Sequence, residues 1–192
     1  MNWYKKAEQW YKFAPTLTLY HGTTERNLLS ITKNGFKPFN PEEVIDQTLW
    51  EYGYTRDMVP EWIWKDELNY RKDRPYIFFT TSKKQAKSYA DKSYGEFQSS
   101  IANALIAWRK EGGISLSKKE YKPVVVTIDV PWEMVDGHKS VAELKEIYQN
   151  ILSKQDSLLG DETLEEFLNN IGYEYWAKNP IPKEYITEWE YV

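Results

Sequence analysis

The chain contains no cysteine, which excludes disulfides, thiolate zinc sites and cysteine nucleophiles. Its only histidines, His21 and His138, stand far apart, so a histidine-rich centre is not expected and no metal is predicted. Phosphate-cradling and nucleophile motifs are also missing. There is no GxGxxG, no Walker sequence and no Gly-x-Ser-x-Gly elbow, which leaves Rossmann dinucleotide binding, P-loop chemistry and a serine-hydrolase reading without a starting point. No apolar run approaches membrane-spanning length, and the opening MNWYKKAEQWYKFA has no apolar core of signal-peptide length. The expectation is a soluble chain in the cytoplasm, or one delivered into a host cytoplasm, with no membrane partner. Nor is there an excess of positive charge: 25 basic residues face 29 acidic ones, net −4. No global field favours a polyanion, although a local basic groove stays open.

What the chain does have is aromatic rings, 9 Trp, 15 Tyr and 7 Phe in 192 residues, which suit a packed core and interfaces equally. The length fits a single domain spanning 1–192 with a real core. Residues 1–15 place Trp3, Ala7, Trp10, Tyr11 and Ala14 at helical spacing, the pattern of an amphipathic helix packed on the domain. Residues 38–74, rich in Trp, Tyr and acidic side chains and broken by Pro41 and Pro60, read as an ordered insertion of short helices.

Strands are expected at LTLY, at YIFFTT (76–81), at VVVTIDV (124–130), at YEYWA (173–177) and at EYITEWEYV (184–192), the last two joined by a turn at Pro180 and Pro182. Between them lie helical patterns. Leu28, Ile31 and Thr32 share a face after the caps Thr23 and Thr24 and before the stop Gly35; Ala86, Tyr89 and Ala90 follow a Ser82/Gln85 capping box. Phe97 to Lys110, a stretch opened by Ser140 and Glu143, and another stopped by Gly172 complete the set. Strands separated by helices of unequal length predict an α+β fold.

One junction carries most of the chemistry. The period of two in LTLY places His21 on the Leu17/Leu19 face at the strand's end, and Gly22 leaves the backbone N–H and C=O unshielded beside the imidazole. A flat ligand could approach the main chain there; the alternative is a satisfied histidine beside an ordinary turn.

Three separated elements, LYHGTTERNLLSITKNGF, YIFFTTSKKQAKSYA and YEYWAKNPIPKEYI, together resemble the ADP-ribosyltransferase superfamily in its His-Tyr-Glu branch, which includes poly(ADP-ribose) polymerases, diphtheria-type toxins and the toxins that modify DNA bases. The resemblance covers the strand framework and leaves 38–74 and 132–170 unmatched. It implies an ADP-ribosyltransferase-like split antiparallel sheet with flanking helices. The implied activity is NAD-dependent transfer of ADP-ribose to a macromolecular acceptor, protein or nucleic acid, with release of nicotinamide.

By the same resemblance, His21 would bond the adenosine-side ribose of NAD and the main chain of Gly22 the nicotinamide carboxamide, which presents one donor and one acceptor. Thr23 and Thr80 would line the cofactor site, Thr80-Thr81-Ser82 being similar to the Ser-Thr-Ser of a sister branch. Tyr89 would stack on nicotinamide; read from the residues alone it is equally a core ring. The sequence departs from the branch at Phe78, where Tyr is usual. Either Phe78 serves as a wall, or Tyr76 on the same face compensates. Glu174 would be the catalytic carboxylate, stabilising positive charge on the ribose as the glycosidic bond breaks. Glu184, Glu188 and Glu190 compete with it, and its spacing to Pro182 and Ile186 favours Glu174. Two alternatives stay open: a catalytically silent NAD or ADP-ribose-binding or docking module, suggested by Phe78, and an RNA 2′-phosphotransferase, which would want arginines around a phosphate.

Overall fold

The computed structural model describes residues 16–74, 76–90, 96–137 and 172–192. The expected helices in 1–15 and in 140–171 lie outside these residues. Among them the order is β1 (Thr16–Thr24), α1 (Glu25–Asn34), α2 (Pro41–Glu51), α3 (Lys65–Lys72), β2 (Ile77–Thr80), α4 (Lys83–Ala90), α5 (Glu96–Glu111), β3 (Pro123–Pro131), β4 (Asp136–Gly137), β5 (Glu174–Ala177) and β6 (Ile186–Tyr191), with short 3-10 turns between some of them. The six strands form one sheet in the order β4-β5-β2-β1-β3-β6, and every neighbouring pair is antiparallel. The fold is α+β, as the element pattern predicts.

Alternation of apolar and polar residues decides what each face does. Leu17 and Leu19 of β1, Phe79 of β2, Val126 and Ile128 of β3 and Tyr175 of β5 point to one side, where Leu28 and Ile31 of α1 and Phe36 cover them. Helix α4 covers the other side, so the centre of β3 is buried on both faces and reads as an unbroken run of valines. The 38–74 stretch carries helices. It folds into α2, α3 and two 3-10 turns, and a second core joins Ile45, Leu49, Val59 and Ile63 to Phe97, Ile101 and Leu105 of α5.

Several boundaries differ from the sequence reading. Strand β1 runs on to Thr24, so His21 sits inside it. Thr24 occupies the N-cap position of α1 without a capping side-chain bond; the helix start is fastened instead to the approach of β3, Glu25 N–H donating to the Lys122 carbonyl at 2.9 Å. Gly35 does end α1, at φ +75°, and a Cβ there would lie 2.2 Å from the Ile181 carbonyl oxygen. The last two strands form no hairpin, because β2, β1 and β3 lie between β5 and β6. The segment after β5 crosses beneath the sheet, pinned by reciprocal backbone bonds between Phe36 and Ile181 at 2.8 and 2.9 Å. Glu184 lies in the 3-10 turn Lys183–Tyr185 and not on a strand.

Candidate functional site

Strands β1 and β3 pair along nine positions, from Thr16 opposite Pro131 to Thr24 opposite Pro123, whereas β1 and β2 share the single pair Tyr20 and Thr80. Beyond that pair the two strands share no further ladder position. The His21 side chain meets the main chain of β2. Its Nδ1 lies 2.8 Å from the Phe78 carbonyl oxygen; a carbonyl only accepts, so Nδ1 carries the hydrogen and Nε2 of the neutral ring is left as an acceptor. The ring packs against Phe36 and Phe79, centroids 5.0 and 5.6 Å away. That desolvation holds the imidazole pKa below its ordinary 6.5, outweighing the upward pull of the Phe78 carbonyl.

The same bond shows how the strands present their polar groups. In an antiparallel strand the N–H and C=O of one residue point to the same neighbour, and alternate residues repeat that direction. Since Phe78 offers its carbonyl to β1, Thr80 does too, Tyr20 is its bonded partner, and Gly22 turns its N–H and C=O towards β2 beyond the last ladder pair. Gly22 has no room for a side chain: a Cβ would sit 2.1 Å from the Ala86 carbonyl oxygen and 2.8 Å from the Ala90 nitrogen of α4. The glycine therefore lets α4 close on β1 beside the bare main chain.

Glu174 lies opposite Thr80, which lies opposite Tyr20, so the three form one row across β5, β2 and β1. A chain of hydrogen bonds holds the carboxylate. Thr80 Oγ1 accepts from the Ser82 N–H at 3.1 Å and donates to Gln85 Oε1 at 2.6 Å; Gln85 Nε2 donates to the Tyr89 hydroxyl at 3.1 Å; that hydroxyl donates to Glu174 Oε1 at 2.8 Å. Every hydrogen along the chain has one donor and one acceptor, which orients each member. Gly172, at φ +73°, leaves space for Gln85, since a Cβ there would be 2.5 Å from Gln85 Oε1. Tyr173 then exchanges bonds with Thr81, N–H to Oγ1 and carbonyl to N–H, both at 2.9 Å, which locks the start of β5 to the end of β2.

Comparison with protein-family models, with curated proteins and with solved structures returns no match to this chain.

Phe78, Thr80, Tyr89 and Glu174 are thus brought to one face, joined by Gln85. Tyr89 is 38 % exposed while Ala86 and Ala90 are buried, so Tyr89 leaves the alanine face and is not a core ring. His21 and Thr23 lie on the opposite face by alternation, in line with Leu17 and Leu19. His21 and Glu174 therefore leave the sheet on different sides. Thr23 is buried and accepts a bond from Asn27 Nδ2 at 3.3 Å.

The competing glutamates are placed elsewhere. Glu190 on β6 is paired with Lys83 and Lys87 of α4, both at 3.2 Å, and the bond from Lys87 leads in holding its carboxyl below the usual range. That pairing fastens α4 to the sheet. Glu188 is exposed on the edge strand. Gln85 is the residue whose role the sequence reading missed. Its backbone N–H does donate to the Ser82 cap, at 3.3 Å to Ser82 Oγ, but its side chain does not return to Ser82 as the capping box predicts. The signal was its spacing of four residues before Tyr89, which aligns the two on one side of α4. Among the described residues no group of acidic or histidine side chains is arranged to hold a metal, and no helix is long and apolar enough to cross a membrane.

Proposed function

We propose that the chain is an NAD-dependent ADP-ribosyltransferase, with the split sheet of that superfamily, acting on a macromolecular acceptor. The observation that carries this reading is the carboxylate of Glu174, oriented by Tyr89 at 2.8 Å, in the row where β1 and β2 last pair before the Gly22 main chain.

In this reading the Gly22 N–H and C=O pair with the C=O and N–H of the nicotinamide carboxamide, Tyr89 stacks on the ring, and Phe78 and Thr80 wall the pocket. His21 Nε2 accepts a hydroxyl hydrogen of the adenosine-side ribose, with Thr23 beside it. Glu174 accepts the 2′-hydroxyl of the nicotinamide ribose and stabilises the positive charge that grows as the bond from C1′ to nitrogen breaks. The bonding pair leaves with nicotinamide. A lone pair of the acceptor X–H forms the new bond at C1′, and its proton passes to Glu174 or solvent, giving ADP-ribosyl-X, nicotinamide and H⁺.

Glu174→Gln preserves shape and removes the charge, so nicotinamide release should fall by about 10²- to 10³-fold while NAD affinity by calorimetry and the melting curve stay close to wild type. Wild-type turnover in that variant would refute the assignment. The silent NAD-binding module is favoured by a specific observation, the departure of His21 and Glu174 from opposite faces; NAD binding without nicotinamide release would establish it. A 2′-phosphotransferase has less support, because Arg26 and Arg56 are engaged by Glu51 and Asp46, and Arg109 lies over Tyr54 and Trp108 in the second core.

A further inference from the structure

The face that carries Glu174 continues along β2 and β5 as a strip of rings and cations. Phe78 is opposite Trp176, and the Tyr76 ring stacks on Trp176 at 6.4 Å with 27° between the planes. Phe78 and Tyr76 meet edge to face at 6.2 Å. Same-face positions on a strand recur about every 6.6 Å, so the rings step outward from the carboxylate at close intervals. Cations accompany them: Arg71 of α3 lies 6.0 Å from the Phe78 centroid, Lys178, which also pairs with the exposed Asp136 at 3.0 Å, lies 5.9 Å from Tyr76, and Arg74 5.3 Å from Tyr70, with an Arg74 Nη1 bond to the Tyr70 hydroxyl at 3.4 Å. Phe78 and Tyr70 are 38 and 58 % exposed.

We propose that this strip is a track for single-stranded nucleic acid, which supplies the acceptor for the transfer. Its role as acceptor rests on the transferase reading; its ability to bind does not. Aromatic rings in series with interleaved Arg and Lys are what an unpaired strand requires, bases stacking on the rings and phosphates meeting the cations. A duplex hides its base faces, and an acidic peptide would use the cations but gain nothing from a row of rings. The overall charge of −4 makes the local concentration of Arg71, Lys72 and Arg74 the more telling, since the chain as a whole does not attract polyanions. On the track, the nucleophile is an exocyclic amine, ring nitrogen or hydroxyl of the strand, which loses one hydrogen as it bonds C1′.

The test is fluorescence anisotropy with labelled 12-nucleotide single-stranded DNA and RNA, the matching duplex and a poly-glutamate peptide, without NAD, at 50 and 200 mM salt. The single strands should bind at least tenfold more tightly than duplex or peptide. Arg74→Gln with Lys178→Gln should weaken binding about tenfold at low salt and lower the logarithmic salt slope by about 1.4, roughly 0.7 per lost phosphate contact. Tyr70→Ala, at an exposed ring outside the proposed NAD site, should weaken binding several-fold and leave the slope unchanged. Equal binding of duplex or peptide, no single-strand binding at 100 µM protein, or affinity unmoved by both variants would overturn the track. Strand binding without nicotinamide release in the presence of NAD would sustain the track and overturn the transferase reading; release with NAD but no strand binding would do the reverse.

Discussion

The bond from Tyr89 to Glu174 offers the sharpest test of how the site is held. Tyr89→Phe keeps the ring and removes one oxygen, which both donates to Glu174 Oε1 at 2.8 Å and accepts from Gln85 Nε2 at 3.1 Å. A hydrogen bond to a charged group contributes about 1.5–3 kcal/mol. Tyr89 is 38 % exposed, so water partly replaces the lost donor and the lower end applies. About 1.4 kcal/mol of lost orientation in the transition state corresponds to a tenfold fall in kcat, while KM for NAD stays within about twofold because the stacking ring remains. The assay is initial-rate nicotinamide release across NAD concentrations, with thermal melting as the control for folding. Gln85→Ala, which leaves the hydroxyl on Glu174 but frees it from Thr80, should give an intermediate loss. If Tyr89→Phe leaves kcat unchanged, or if KM rises while kcat holds, then the hydroxyl does not orient a catalytic carboxylate and the reasoning fails.

Gly22→Ala drives a Cβ into the α4 backbone, 2.1 Å from the Ala86 carbonyl oxygen; a loss of about 3 kcal/mol or more is expected, seen as a Tm lower by roughly 6–12 °C, and an unchanged Tm would contradict the packing. His21 has its folded-state pKa depressed by burial, so the unfolded chain binds the extra proton first and stability should decline as pH falls from the ordinary 6.5 through the lower folded value; denaturant melts of wild type and His21→Gln at pH 7.5 and 5.5 read this, and a ring titrating above 6.5 by NMR would reverse the sign. Tyr175 keeps a buried hydroxyl that has no partner among the described residues, and burial pushes its phenol up to about 12. Tyr175→Phe should therefore leave Tm unchanged or raise it, by up to about 1 kcal/mol in stability, and a fall of that size would show that the hydroxyl is satisfied.

The sequence alone determined the parts that depend on local periodicity. The alternation in LTLY, the unbroken valines at 124–126 and the helical spacing of Leu28 and Ile31 all specify elements whose buried face is set by the chain's own pattern. Motif absence was equally legible, and the His21-Gly22 junction stood out at the end of its strand, whereas the choice of Glu174 came from the resemblance. Tertiary structure decided the rest, because the decisive contacts join residues far apart in the chain. Tyr89 and Glu174 are separated by 85 positions and His21 and Phe78 by 57, so no spacing reveals that a hydroxyl orients the acid or that the imidazole takes a carbonyl of the neighbouring strand. The crossing from β5 to β6 depends on which edge of the sheet is unpaired, and the Pro180/Pro182 turn looks the same in either topology. Glu174 and Glu190 are both strand glutamates in sequence; only the packing of α4 gives one of them a tyrosine and the other two lysines, and with that their different electrostatics.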